Sequence, residues 1–83
     1  VLFVLGESDT LVDPPTEQRS FATLCQQGMA MQFLECAGAS HTKATTWALP
    51  EIVDFVRDRF AGKAADAAHS CQLAAPVKCR GTP

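Results

Sequence analysis

The chain has 83 residues, a length that fits one small domain or a piece of a larger one. Its charge is nearly balanced, with seven Lys and Arg against nine Asp and Glu, and it lacks the basic stripe that nucleic-acid-binding proteins carry. No apolar run approaches the ~20 residues that a membrane-spanning helix needs. The composition therefore argues against a nucleic-acid partner and against a membrane span.

The chain contains four cysteines, Cys25, Cys36, Cys71 and Cys79. Their spacing matches no zinc-binding pattern, and we expect neither a metal nor a cofactor. An even number of cysteines in a short chain favours disulfides and a secreted or periplasmic location, and buried thiols are the alternative.

The first half of the chain predicts a strand, a loop and a helix. The apolar run 1–5 is typical of a strand buried on both faces. The loop 6–13 follows and carries Asp9. Asp13 stands where a helix N-cap is expected, because a proline follows it at the first helical position. We predict a helix over residues 14–27.

The second half predicts another strand over 29–36, near the edge of a parallel sheet, then a loop over 37–49 that carries His41. A helix over 50–61 and an irregular tail over 63–83 follow. The fold class is therefore α/β, as a βαβα unit with two parallel strands. Apolar residues recur at helical spacing along the last helix and predict one apolar face: Leu49, Ile52, Val53, Val56 and Phe60.

Asp9 and His41 each follow a predicted parallel strand. The carboxyl ends of parallel strands meet at one edge of a sheet, where ligands bind in open α/β folds. We therefore expect the carboxylate and the imidazole within hydrogen-bonding distance, about 2.6–3.2 Å. Such a pair is two thirds of a Ser-His-Asp triad. The alternatives are an aspartate that caps its own turn and a solvated loop histidine.

Four short motifs occur in order along the chain: Gly6-x-x-Asp9-x-x-Val12, Cys25-x-x-Gly28, Gly38-x-x-His41 and Arg59-Phe60-Ala61-Gly62. Together they resemble the C-terminal end of an α/β-hydrolase, over nearly the whole chain. The details are most similar to the secreted lipases of the fungal lipase-A-like group.

The resemblance implies that Asp9 is the acid and His41 the base of a catalytic triad. The presence of Asp13 in the same loop leaves the choice of acid open. The resemblance also implies a Cys25–Cys71 disulfide. The resemblance implies no partner for Cys36 or Cys79, and we expect these two to form a second pair.

The nucleophile motif G-x-S-x-G does not occur in the chain. The resemblance therefore implies a C-terminal fragment of a serine ester hydrolase, with residues 1–62 as its βαβα portion and 63–83 as a disulfide-tethered tail. An upstream segment would supply the serine, and an ester or lipid would be the substrate. The alternative is a truncated, non-catalytic protein that folds as a homo-oligomer or serves as an interaction module.

Overall fold

A computed structural model describes residues 1–63 and 70–83 of the chain. In order, its elements are β1 (Leu2–Gly6), α1 (Pro14–Gln26), β2 (Gln32–Cys36), α2 (His41–Trp47) and α3 (Leu49–Phe60). Within the described residues the sheet consists of β1 and β2, which pair in parallel. The predicted α/β class and its two parallel strands are confirmed, and the partial α/β-hydrolase fold stays a prediction. No described helix has the length and apolar character needed to cross a membrane.

The helix α1 covers one face of the sheet through an aromatic cluster. Phe3 and Phe33 lie opposite each other in the parallel register, and Phe21 of α1 packs edge-on against both rings, with centroid distances of 5.7 and 5.1 Å. Phe21 is fully buried. Edge-to-face aromatic contacts of this kind add about 0.5–1.5 kcal/mol per pair to the burial of apolar surface.

The same face carries one buried charge. Glu35 of β2 is only 4% exposed. Its Oε1 accepts a hydrogen bond from Gln18 Nε2 of α1 at 3.1 Å. This bond satisfies part of the polarity that the carboxylate brings into the interior, because a buried polar group without a partner is costly.

Small side chains fill the core on the opposite face of the sheet. The buried cluster there consists of Cys36, Ala39, Ala44, Ala48 and Cys79. Sheet residues and residues of α2 and α3 pack against it: Val4, Leu34, Trp47 and Ile52. Because alanines project little, α2 lies close to the sheet, and the core on this side is thin.

The predicted loop over 37–49 is wrong in part, because His41–Trp47 forms the helix α2. The βαβα unit is therefore βαβαα. The side chain of Ser40 caps α2 and accepts a hydrogen bond from the N–H of Lys43. Only Ala44 of α2 is buried, so the segment lacks the periodic apolar pattern from which a helix is predicted. The last helix also begins at Leu49 and ends at Phe60, one residue earlier than predicted at each end.

The other boundaries shift by a few residues. The first strand is Leu2–Gly6 rather than 1–5, and the first helix ends at Gln26 rather than at residue 27. The second strand is Gln32–Cys36, three residues shorter at its start than predicted. Only these residues have partners in β1.

Two disulfides, Cys25–Cys71 and Cys36–Cys79, attach the C-terminal tail to the domain. Both expected pairings are confirmed. Residues 64–69 of the predicted tail lie outside the described residues. Residues 70–83 contain no helix or named strand, but Val77 forms a parallel bridge with Cys36.

Most of the predicted apolar face of α3 does not enter the core. Ile52 packs against the buried cluster, whereas Leu49, Val53, Val56 and Phe60 are exposed. We call these four exposed residues the α3 stripe. Phe60 is 89% exposed. An amphipathic pattern predicts that a face will be covered, and among the described residues the stripe is not.

Candidate active site

Asp9 lies in the loop after β1, and the backbone of the same loop holds its carboxylate. Its Oδ1 accepts hydrogen bonds from the N–H groups of Leu11 and Val12 at 2.8 and 2.9 Å. The side chain is 6% exposed. The Val12 N–H is the largest cause that lowers the pKa of Asp9 from its ordinary 3.8; burial opposes it, and His41 and the Leu11 N–H add to the lowering.

His41 is the first residue of α2, directly after the N-cap Ser40. Its Nδ1 lies 2.7 Å from Asp9 Oδ2, within the expected range, so the predicted contact is confirmed. An ionised carboxylate only accepts hydrogen bonds, so Nδ1 carries the proton and the Nε2 of the neutral ring is left as an acceptor. The ring is 47% exposed. The arrangement therefore provides an oriented base.

Asp13, the other candidate acid, forms hydrogen bonds with the first turn of α1 instead of with His41. Its Oδ2 accepts hydrogen bonds from the backbone N–H and the hydroxyl of Thr16, at 3.3 and 3.1 Å. These contacts make it the N-cap of α1, as predicted. The structure thus brings Asp9, and not Asp13, to His41.

Hydrogen bonds join the loop that contains Asp9 directly to the residues that precede His41. The N–H of Ser8 donates to the Ala39 carbonyl at 2.9 Å, and Glu7 Oε1 accepts the N–H of Gly38 at 2.9 Å. Gly6 lies so close that a Cβ there would fall 3.0 Å from the Ala39 carbonyl carbon. Sequence reasoning missed Glu7, because a lone exposed glutamate in a turn carries no periodic or motif signal.

The space around the pair is small. A cleft of about 180 Å³ opens beside Asp9 and His41, with Glu17 and Thr45 also on its walls. Sites for drug-sized ligands usually measure about 300–1,000 Å³. A larger groove of about 600 Å³ is lined by neither residue of the pair. We therefore place the candidate chemistry at the small cleft, which contains His41. A large substrate would need binding surface beyond the residues that line this cleft.

Metal binding has no site among the described residues. No group of three or more His, Cys, Asp or Glu side chains stands close enough together there to hold an ion.

Comparison with known proteins gives one partial similarity. No protein-family profile matches the chain, and no solved structure matches it. The chain is similar to the secreted triacylglycerol lipase LIP7 of Malassezia globosa, with 38% identity over 60 residues. The match covers 70% of this chain but only 13% of the lipase. The chain is thus similar to a small, lipase-like region of that protein.

Proposed function

We propose that this chain supplies the acid and the base of the catalytic triad in a lipase-like hydrolase of carboxylic esters. The observation that carries the proposal is the 2.7 Å contact between Asp9 Oδ2 and His41 Nδ1, on an aspartate whose other oxygen is held by two backbone N–H groups. The partial similarity to a secreted triacylglycerol lipase supports the same class of chemistry.

In this proposal His41 Nε2 takes the proton of a serine hydroxyl as that oxygen attacks the ester carbonyl. The same proton then passes to the leaving alcohol. Asp9 keeps the imidazole in the required tautomer and stabilises the positive charge that forms on it. No G-x-S-x-G motif occurs in the 83 residues, so polypeptide outside them would provide the serine and the oxyanion-binding N–H groups.

The substrate class and location follow from the same reasoning. The relative's name supports fatty-acyl esters of glycerol as substrates. The two disulfides and the secreted relative support a secreted protein.

A chimera tests the proposal: this chain replaces the matching stretch of the Malassezia globosa lipase, and tributyrin hydrolysis is measured. We expect an active chimera that loses roughly 10⁶-fold in kcat with His41→Ala and roughly 10⁴-fold with Asp9→Asn, as for other triads. Asp13→Asn is the matched control and should retain activity, because Asp13 caps α1 instead.

Two results would overturn the proposal. One is a chimera that stays fully active with His41→Ala. The other concerns the isolated chain, which should hydrolyse p-nitrophenyl butyrate at close to the buffer rate. A much faster rate that collapses in His41→Ala would show that the chain has its own nucleophile.

A second candidate is a non-catalytic protein that associates with itself, and the α3 stripe favours it. The four apolar residues of the stripe are all exposed on the same helix. Two copies packed through their α3 helices would cover these residues. An inactive chimera combined with a stable homodimer would favour this candidate over the hydrolase.

A further inference from the structure

We propose that the C-terminal tail positions His41, through the Cys36–Cys79 disulfide and the residues 77–81 around it. We call this segment and its disulfide the tail clasp. The proposal rests on the proposed function, in which His41 is the base. It assigns a role to a cysteine pair that the resemblance leaves unexplained.

The Cys36–Cys79 disulfide packs between the sheet and α2. Cys36 and Cys79 are 0% and 1% exposed and pack with the alanines of the buried cluster. Cys36 Sγ lies 3.8 Å from the carbonyl oxygen of Ala44, which is a packing contact because a disulfide sulfur has no hydrogen to donate. Ala44 follows His41 by three residues in α2, so it lies on the next turn of the same short helix. The disulfide therefore sets the height at which α2 rests on the sheet.

The tail also forms backbone hydrogen bonds at the C-terminal end of β2, just before the residues that lead to His41. The N–H of Val77 donates to the Glu35 carbonyl at 2.9 Å, and the N–H of Ala37 donates to the Val77 carbonyl at 2.7 Å. Val77 is thus hydrogen-bonded to residues on both sides of Cys36. These bonds fix the end of β2, from which residues 37–40 lead to His41. We call these four residues the histidine loop.

Past Cys79, the tail holds the C-terminal end of α2. The N–H of Gly81 donates to the Trp47 carbonyl at 2.7 Å. The approach is so close that a Cβ on Gly81 would lie 2.6 Å from that oxygen. The backbone N–H of Arg80 donates to Glu51 Oε2 at 2.9 Å and joins the tail to α3 as well. The tail clasp therefore restrains α2 at Ala44, in its middle, and at Trp47, its last residue, and with it the direction of the His41 ring.

The second disulfide provides a matched control. Cys25–Cys71 closes a loop with a sequence separation of 46, against 43 for Cys36–Cys79, so the two should lower the chain entropy of the unfolded state by similar amounts. Cys71, however, attaches near the start of β2, where its N–H donates to the Met31 carbonyl. That is the opposite end of the strand from the histidine loop.

The test is nuclear magnetic resonance of the 83-residue chain, with His41 Nδ1–H as the probe. In the wild type this proton is hydrogen-bonded to Asp9 and should resonate far downfield. In the Cys36→Ala/Cys79→Ala variant we expect it to exchange with water at least about tenfold faster, since exchange reports local opening. In Cys25→Ala/Cys71→Ala the resonance and its exchange rate should stay close to the wild type, although each variant loses one disulfide of similar loop length.

A milder variant decides the question if either pair of substitutions unfolds the chain. Gly81→Ala keeps both disulfides but forces the tail away from Trp47, and it should also accelerate exchange of the His41 proton. Equal effects of the two disulfide variants would overturn the proposal, and so would an unchanged His41 signal in a folded Gly81→Ala chain. The measurement needs no substrate, so it can fail or succeed independently of ester hydrolysis by the chimera.

Discussion

The loop that contains Asp9 orients its carboxylate towards His41. Two backbone N–H groups fix Asp9 Oδ1, which leaves Oδ2 directed at His41. Donors of this kind favour the ionised carboxylate and explain the lowered pKa of Asp9. An ordinary turn aspartate forms the same hydrogen bonds to its loop. The two interpretations of Asp9, a residue that caps its turn and a partner of His41, are therefore compatible.

The lowered pKa of Asp9 predicts how stability depends on pH. A carboxyl group whose pKa is lower in the folded state stabilises the fold above its unfolded pKa, near 3.8. That contribution is lost as the pH falls through the lower, folded-state pKa. We expect wild type to melt at a higher temperature than Asp9→Asn at pH 6, and the difference to shrink as the pH is lowered from 3.8. Melting curves across this range check it, and a difference that grows in acid would contradict it.

Glu7 shows what sequence patterns miss at this scale. Its side chain meets the N–H of Gly38, 31 residues away, across two loops. Nothing in the spacing of the residues around Glu7 indicates that partner, because hydrogen bonds between loops depend on how the two strands are aligned. The parallel register of β1 and β2 brings these loops together.

At the scale of elements, α2 is the helix that sequence reasoning did not predict. It has seven residues, fewer than the ~12–15 at which isolated helices become even marginally stable. Thr42, Thr45 and Thr46 have modest helix propensity. The helix depends on its Ser40 cap and on packing of Ala44 and Ala48 against the Cys36–Cys79 disulfide.

The two N-caps make a matched pair for the next prediction. Ser40→Ala and Asp13→Ala each remove a side-chain cap and should each cost about 1 kcal/mol in the free energy of unfolding. Only Ser40→Ala loosens the turn that carries His41. Urea denaturation measures the stability loss, and amide hydrogen exchange at Lys43 measures the local opening. Equal exchange at Lys43 in the two variants would show that the cap does not hold α2.

At the scale of the whole molecule, the chain combines a thin core with an exposed apolar helix face. The buried residues on the α2 side are alanines and cysteines. On the chain-entropy model each disulfide contributes about 4 kcal/mol. This is a large fraction of the free energy of unfolding that a small domain usually has. The disulfides therefore compensate for a core that is too small, while the α3 stripe remains available to another surface.

The α3 stripe predicts self-association of the isolated chain. We expect a homodimer at micromolar concentration, and Val53→Lys with Phe60→Ser should weaken it at least about tenfold, a loss of about 1.4 kcal/mol. Because both residues are exposed, the melting temperature of the monomer should change little. Sedimentation velocity measures both proteins. Leu73→Ser, at an exposed leucine outside α3, is the control and should leave the association unchanged. A compact wild-type monomer at this concentration would contradict the prediction.

The sequence by itself determined the parts of this protein that local patterns encode. A short apolar run predicts β1, Asp13 and Pro14 predict the start of α1, and the periodic apolar residues predict α3, because each signal lies within one segment. The positions of Asp9 and His41 after two parallel strands predict their contact, since parallel strands end at a common edge. The resemblance to secreted lipases implied the Cys25–Cys71 pair.

The tertiary structure alone decided what depends on contacts between distant segments. It placed the Asp9 carboxylate against His41, whereas the side chain of Asp13, in the same loop, turns to Thr16 and caps α1. It formed α2 where the sequence predicts a loop, because the buried Cys36–Cys79 disulfide supports a helix whose own residues give it little stability. It also left the α3 stripe exposed. An apolar face predicts that burial is favourable but does not say which surface provides it, and that depends on how much of the sheet the other elements already cover.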